Sequence, residues 1–381
     1  MFIRVATTHV SRDCHHMRIL FSGIPSPGHV LPMMPLADAA TAAGIETAVL
    51  TGGDLAPMVA PTRLLPAGPS AEDLIRETVE RTGSDPTQPG PGAVEMFAGV
   101  RVALSFDEAL AQAEEFAPDF MVCEEFDFVG PMVAAALGVP WAAHGISGAV
   151  PEFLLDAMRE RLSREYAGRS LTPVPRIAVV DPYPDVLRSP SELPAADRIT
   201  IRPVPNAHGP EAVPWQDVEA DLPRALVTVG TTVLDHAALS VLASSVAAAG
   251  FTVIVTATAE QLSADIDPTR VRPVGFVPLA KLLPAVDLVV TAGGTGTLLA
   301  ALSHGLPLVV RPFVADQPWN AARVADLGAG VVVDDPAEAG AAARLVADDP
   351  KYREAARDAA AGLESMNSPE AALRELLELV P

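Results

Sequence analysis

The stretch Val289-Val-Thr-Ala-Gly-Gly-Thr-Gly-Thr-Leu-Leu-Ala-Ala-Leu-Ser-His-Gly-Leu-Pro-Leu-Val-Val-Arg-Pro-Phe-Val-Ala-Asp-Gln-Pro-Trp-Asn320 constrains the fold more than any other part of the chain. An apolar run, a glycine-rich turn, a second apolar run of helical length and a short Pro-Leu-Val-Val run predict strand, turn, helix, strand and a polar loop. A helix that starts on glycines at the end of a strand offers unpaired N–H groups, together with the positive end of its dipole, to a phosphate. The stretch therefore predicts an α/β layer that binds a nucleotide-linked ligand.

The same alternation runs through both halves. In the first, strands are predicted at 18–22, 46–51, 63–65, 119–123 and 141–144, with helices near 33–43, 100–115 and 128–137. Residues 83–92 read as a mobile polar loop, and the Ala/Pro-rich region 67–99 as loop bordering an apolar cleft. Prolines then dominate, and the pattern restarts at 225–229 and continues through strands at 251–256, 271–274, 287–291 and 307–310. Alternating strands and helices imply parallel, doubly wound sheets. At 381 residues the chain is long for one core, so two such domains in tandem are expected. We divide it into a disordered extension at 1–16, a first domain at 17–205, a proline-rich linker at 206–223 and a second domain at 224–381, whose last helix is free to pack back on the first.

The formal net charge of −22 argues against nucleic acid, which the protein would repel. An anionic ligand must then be held locally, by backbone N–H groups, helix dipoles and a few positive side chains. Cys14 and Cys123 do not make a disulfide framework, and residues 1–16 lack the apolar core of a secretory signal, so a cytoplasmic protein is expected. The charge-free runs 128–151 and 288–310 are broken by proline and glycine and predict buried helix–strand pairs rather than membrane spans. A monomer or homodimer is expected.

Doubly wound sheets bind ligands beyond the strand C-termini, where strand order reverses, and with the usual order the first and fourth strands are neighbours there. In the second half this brings Gly230-Thr231-Thr232 beside Gly293-Gly294-Thr295-Gly296-Thr297, with the polar pair Asp316-Gln317 placed for sugar hydroxyls. In the first half it brings His29, in Pro25-Ser-Pro-Gly-His29, beside Glu124-Glu125. A histidine oriented by a carboxylate is a general base for neutral pH, and either glutamate can serve, with Glu124 the nominated partner. Asp265-Ile-Asp267 has the spacing of a divalent-metal ligand but the flanks of a surface turn, Asp334-Asp335 reads as a helix cap, and no His/Cys cluster has metal spacing. His144, His236 and His304 are assigned structural or surface roles.

These residues resemble GT-B glycosyltransferases of the GT1 type, in particular the bacterial enzymes that glycosylate antibiotics and other natural products. The resemblance rests on Gly28-His29-Val30 with Pro32, Pro118-Asp119-Phe120-Met-Val-Cys-Glu124, Leu137-Gly-Val-Pro140, Arg202-Pro-Val-Pro205, Thr228-Val-Gly-Thr231, Phe276-Val-Pro278 and Gly293 through Asn320. It implies two Rossmann-like domains facing a central cleft. It also implies inverting transfer of a sugar from a nucleoside diphosphate, dTDP being expected, to a hydroxyl of a small apolar acceptor, with no metal and no other cofactor. His29 matches the family's catalytic histidine and Glu124 its acidic partner. Thr231 matches a diphosphate contact, Phe276 and Val277 match positions that pack on the nucleobase, and Asp316 and Gln317 match those that hold the donor sugar. Ala292 stands where many members have a diphosphate-binding histidine, and Ala300 where an acidic residue is frequent. Two other functions fit the same scaffold: a nucleotide-sugar epimerase and a non-catalytic auxiliary protein.

Overall fold

The computed structural model describes residues 17–148, 150–189, 196–205, 207, 222–230 and 235–381. The predicted extension 1–16, Thr231 and nearly all of the linker 206–223 lie outside these residues. Among the described residues two sheets form. The first runs β3-β2-β1-β4-β5-β6-β7, from strands β1 (Arg18–Ser22), β2 (Glu46–Thr51), β3 (Arg63–Pro66), β4 (Phe120–Glu124), β5 (Trp141–His144), β6 (Val179–Asp181) and β7 (Arg198–Thr200). The second runs β10-β9-β8-β11-β12-β13, from β8 (Arg224–Thr228), β9 (Thr252–Val255), β10 (Val271–Pro273), β11 (Leu288–Thr291), β12 (Leu308–Val310) and β13 (Gly330–Val332). The pairings are parallel throughout. These are the two Rossmann-like layers expected, and in each the first and fourth strands are neighbours: Ser22 pairs with Cys123 and Thr228 with Thr291. Both switch points therefore lie where the loops after β1, β4, β8 and β11 emerge.

The strands read as unbroken apolar runs because helices cover both faces. Ile19 and Phe21 of β1 point into one core with helix Met34–Ala42, while Leu20 points into another with helix Arg101–Phe116. Three helical pieces escaped the sequence pattern. Residues 71–82, assigned to loop, form helix Ala71–Thr82: Ser70 caps it by accepting from the Asp73 N–H, Glu72 and Asp73 meet its positive end, and Gly83 closes it at φ 66°. Helix Pro91–Glu95 runs directly into a π-helical turn, Met96–Val100, ahead of Arg101. Helix Glu152–Gly168 packs Leu154, Met158 and Tyr166 inward, four and then eight residues apart on one face. The prolines that follow had masked its period.

The halves are stitched together at two places. The C-terminal helix, Pro369–Leu379, returns to the first domain, where Ala372, Leu373 and Leu376 join the core of Ile19 and Phe21, and Asn367 C=O accepts from Arg202 N–H at 2.7 Å. In the other direction Tyr183 and Leu187, which follow β6, are buried in the second domain's core beside Leu302 and Leu306. No helix among the described residues is long and apolar enough to cross a membrane. Cys123 is a free, buried thiol, and Cys14 lies outside the described residues.

Candidate active site

A cavity of about 830 Å³ opens between the two switch points and is lined from both domains. Its first-domain wall is apolar, with Leu74, Ile75, Met96, Phe97, Leu154 and Met158. Its second-domain wall is the turn and helix start Gly294, Thr295, Gly296 and Thr297, with Gly230, Asp316 and Gln317. The lining contains no lysine or arginine among the described residues.

His29 sits in the short helix Pro27–Val30 after β1, started by the proline at its first position. Its Nδ1 lies 2.9 Å from Oε2 of Glu124, the last residue of β4 and fully buried. The other oxygen of Glu124 accepts from the Phe126 N–H at 2.8 Å, so the carboxylate is fixed at both ends. A carboxylate only accepts, so Nδ1 carries the proton and Nε2 keeps its lone pair. Burial pulls the His29 pKa down, but the charge and hydrogen bond of Glu124, with the charges of Glu125 and Asp316, outweigh it and raise it above 6.5. Asp316 belongs to the other domain, so the two walls share one electrostatic space.

Glu125 goes elsewhere. Its Oε1 accepts from the N–H groups of Ile146 and Ser147 at 3.0 and 3.1 Å and from the Ser147 hydroxyl at 3.2 Å, holding the loop after β5 against the cavity. Burial raises its pKa to about 7 against those hydrogen bonds. Phe97 and Phe126, to which the sequence reading gave no role, flank the imidazole at ring-centre distances of 5.8 and 6.1 Å and each other at 5.2 Å. They come from the π-helical turn and the β4 loop, a juxtaposition no local pattern announces.

Beneath this wall Arg101 is fully buried, its Nε 3.5 Å from Asp127 Oδ1. Nη1 donates to Ala67 C=O and Ser105 Oγ at 2.9 and 2.8 Å, and Nη2 to Gly23 C=O at 3.4 Å, while Ser22 Oγ donates to Asp127 Oδ2. The pair ties the π-helical turn to the end of β1, from which the His29 loop departs.

The second-domain wall is built on helix Thr295–Ser303, capped by Gly294. The N–H groups of Thr295, Gly296 and Thr297 precede its first intrahelical bond, Leu298 N–H to Gly294 C=O, and among the described residues have no backbone partner, the arrangement that suits an anion. Gly293 adopts φ 89°, and a Cβ there would meet Val310 Cγ1 at 2.7 Å, so only glycine fits. Gly293 supports the turn without lining the cavity. Asp316 Oδ2 accepts from the Thr295 hydroxyl at 2.6 Å and from Asn320 Nδ2 at 2.9 Å. Gln317 is buried, lines the cavity and has its Oε1 accepting from Phe313 and Val314 N–H.

The other residues singled out in the sequence are placed as follows. Phe276, which follows the edge strand β10, is about half exposed, and Val277 is packed in the core with Leu282 and Leu283; neither is among the residues lining the cavity. Thr231 lies outside the described residues, but its neighbour Gly230 lines the cavity at φ 74°. Ala300 lines the cavity, whereas Ala292 is buried in the core. Asp267 Oδ1 accepts from the N–H and hydroxyl of Thr269, making a local turn, and Asp335 caps the helical turn at Pro336. Of the remaining histidines, His144 is buried, where desolvation lowers its pKa to about 4, and His304 bonds back to Ala300 C=O. Among the described residues no group of three or more His, Cys, Asp or Glu is arranged around a metal site.

The chain is similar to known proteins along nearly its whole length. Residues 240–379 match the family described as erythromycin biosynthesis protein CIII-like, C-terminal domain. The L-demethylnoviosyl transferase of Streptomyces niveus is 33% identical over 360 residues, spanning 90% of this chain and 92% of that protein. The elloramycin glycosyltransferase of Streptomyces olivaceus is 30% identical over 376 residues, spanning 93% and 95%. The crystal structure of a Streptomyces sp. SF2575 glycosyltransferase complexed with thymidine diphosphate superposes with a TM-score of 0.81 at 32% identity, covering 95% of this chain and all of that one.

Proposed function

Because this chain belongs to the GT1-type antibiotic glycosyltransferases of the GT-B fold, we propose that it transfers a sugar, with inversion, from a dTDP-linked donor to a hydroxyl of a small apolar acceptor. The observation that carries this reading is the single cavity with a His29–Glu124 dyad on an apolar wall and a free helix N-terminus with Asp316 and Gln317 on the other. The acceptor enters the apolar half. His29 Nε2 takes the hydroxyl proton as the oxygen attacks the anomeric carbon. The bond from that carbon to the diphosphate oxygen breaks on the opposite face, which inverts the centre, and the nucleoside diphosphate leaves with the electron pair. The N–H groups of Thr295, Gly296 and Thr297 receive the charge that develops on the diphosphate, a role that asks for no metal. Asp316 and Gln317 hold sugar hydroxyls.

Two observations favour a thymidine donor. A related enzyme binds thymidine diphosphate. At position 300 the cavity wall presents an alanine rather than a carboxylate acceptor for a ribose hydroxyl, and thymidine's sugar has one fewer hydroxyl to satisfy. Purified protein supplied with a dTDP-sugar and a hydroxylated aromatic or macrolide acceptor, with chelator present, should release one dTDP per glycoside. A free, stereochemically altered sugar nucleotide without glycoside would overturn the transfer reading in favour of an epimerase. In a calorimetric titration dTDP should bind more tightly than UDP; the reverse order would sink the donor assignment.

The pH dependence follows from the dyad. His29 acts unprotonated, and its raised pKa places the acid limb of kcat/KM above pH 6.5. Glu124→Gln removes the strongest of the influences that raise it, so that limb should move to lower pH while the plateau rate falls. A plateau that falls with the limb unmoved would show that Glu124 does not set the base.

A further inference from the structure

The segment after β6 is a first-domain element whose most buried side chain ends at the donor wall. Asp181 closes β6, and its Oδ1 accepts from the Tyr183 N–H at 2.8 Å. Arg198 Nη2 donates to Tyr183 C=O at 2.8 Å, and Arg188 and Arg198 both pair with Asp181. Tyr183 is thus held on both sides of its backbone. Its ring is fully buried against Trp319 of helix Gln317–Leu327, with ring centres 5.3 Å apart. The loop after β5 passes beside both rings at Gly148, where a Cβ would lie 2.5 Å from Tyr183 Cζ and 2.3 Å from the Trp319 ring.

The Tyr183 hydroxyl reaches Asn320 Oδ1 at 3.3 Å. Asn320 is itself fully buried, and its Nδ2 faces three acceptors: Gly293 C=O at 2.9 Å, Thr295 Oγ1 at 3.0 Å and Asp316 Oδ2 at 2.9 Å. Turned over, the carboxamide would point an oxygen at Gly293 C=O and at the Asp316 carboxylate. Among the described residues, the donor on its other side is the tyrosine hydroxyl of the other domain. With Asp316 Oδ2 occupied by Asn320 and Thr295, Oδ1 is the oxygen left for a ligand.

We propose that Tyr183 is a positioning residue for the donor sugar: from the first domain its hydroxyl locks the Asn320 carboxamide, which holds Asp316 with one carboxylate oxygen presented to the cavity. The inference rests on the reading of Asp316 as a donor-sugar contact. It separates the sugar from the diphosphate, because Tyr183 acts through Asp316 while the helix N–H groups act through the backbone. It also makes the donor site incomplete without the first domain.

The test is steady-state kinetics on the full chain, with calorimetry of free dTDP. Tyr183→Phe removes one hydrogen bond and should raise the donor KM about 5–10-fold, leaving the acceptor KM and the Kd of dTDP alone within about twofold. Asn320→Asp keeps the acceptor for Tyr183 but sets an oxygen against Asp316, and should raise the donor KM at least as much, so the inference stays testable should Tyr183→Phe fold poorly. An unchanged donor KM in both variants, or in Tyr183→Phe a dTDP Kd that weakens by the same factor, overturns it. Asp316→Asn is the control. If it raises the donor KM and Tyr183→Phe does not, the Tyr183 inference alone fails; if it has no effect, the Asp316 reading fails and takes the inference with it.

Discussion

His29→Ala is expected to lower kcat for sugar transfer by about 100-fold or more, the usual contribution of a positioned general base. The expectation comes from geometry. His29 is the group on the apolar wall with a free lone pair, because Glu124 occupies its Nδ1. Fixed at both oxygens, Glu124 holds the ring so that Nε2 needs no reorganisation when a hydroxyl arrives. The donor wall is built from another domain, so the variant should keep its affinity for dTDP. Near-normal turnover would remove His29 from the chemistry, and a loss of dTDP affinity in step with kcat would mean that the residue supports the fold of the cleft instead.

Asp127→Ala should destabilise the protein by about 3–5 kcal/mol, the loss typical when one partner of a buried ion pair is removed. Arg101 is fully buried and cannot reach water, and without Asp127 its charge is left with the Ala67 and Gly23 carbonyls and the Ser105 hydroxyl. Ser22, whose hydroxyl donates to Asp127, loses its acceptor as well. Chemical denaturation measures the loss directly. Replacing both charges together, as in Arg101→Met with Asp127→Leu, should recover part of it, since no unpaired charge then remains buried. A loss below about 1 kcal/mol for Asp127→Ala would mean that water or a rearranged side chain reaches Arg101.

Much of this architecture was legible because parallel strands buried on both faces leave continuous apolar runs, and the glycine-rich turn after β11 marks its own switch point. The neighbouring placement of β8 and β11 followed from the topology rule, which brought Gly230 beside Gly294. The choice between Glu124 and Glu125 did not follow. Adjacent residues at a strand end point to opposite sides, and only the packing of helix Pro27–Val30 decides which side holds the imidazole. Phe97 was hidden because it sits in a π-helical turn with no apolar period, and Arg101 because a lone arginine in a predicted helix reads as a solvated face. The helix after Ser70 did have a signature, the serine with an acidic residue three positions on and Gly83 behind, but the surrounding prolines and glycines outweighed it. Asn320 lay inside the most informative run of the chain, yet its role depends on Tyr183, more than a hundred residues away.

The contact at Gly148 bears on how such enzymes can be recombined. On the proposed reading the donor wall belongs to one half and the acceptor wall to the other, so exchanging whole halves between relatives is the natural way to combine one sugar with another aglycone. At this seam the loop after β5 passes two aromatic rings with no room for a Cβ, and one of those rings belongs to the donor half. A chimera that brings a bulkier residue to position 148, or a different ring to position 319, would be forced apart beside the catalytic cleft even though both parents fold. Gly148, Tyr183 and Trp319 are therefore best inherited as one unit, and a crossover point belongs where it leaves all three from the same parent.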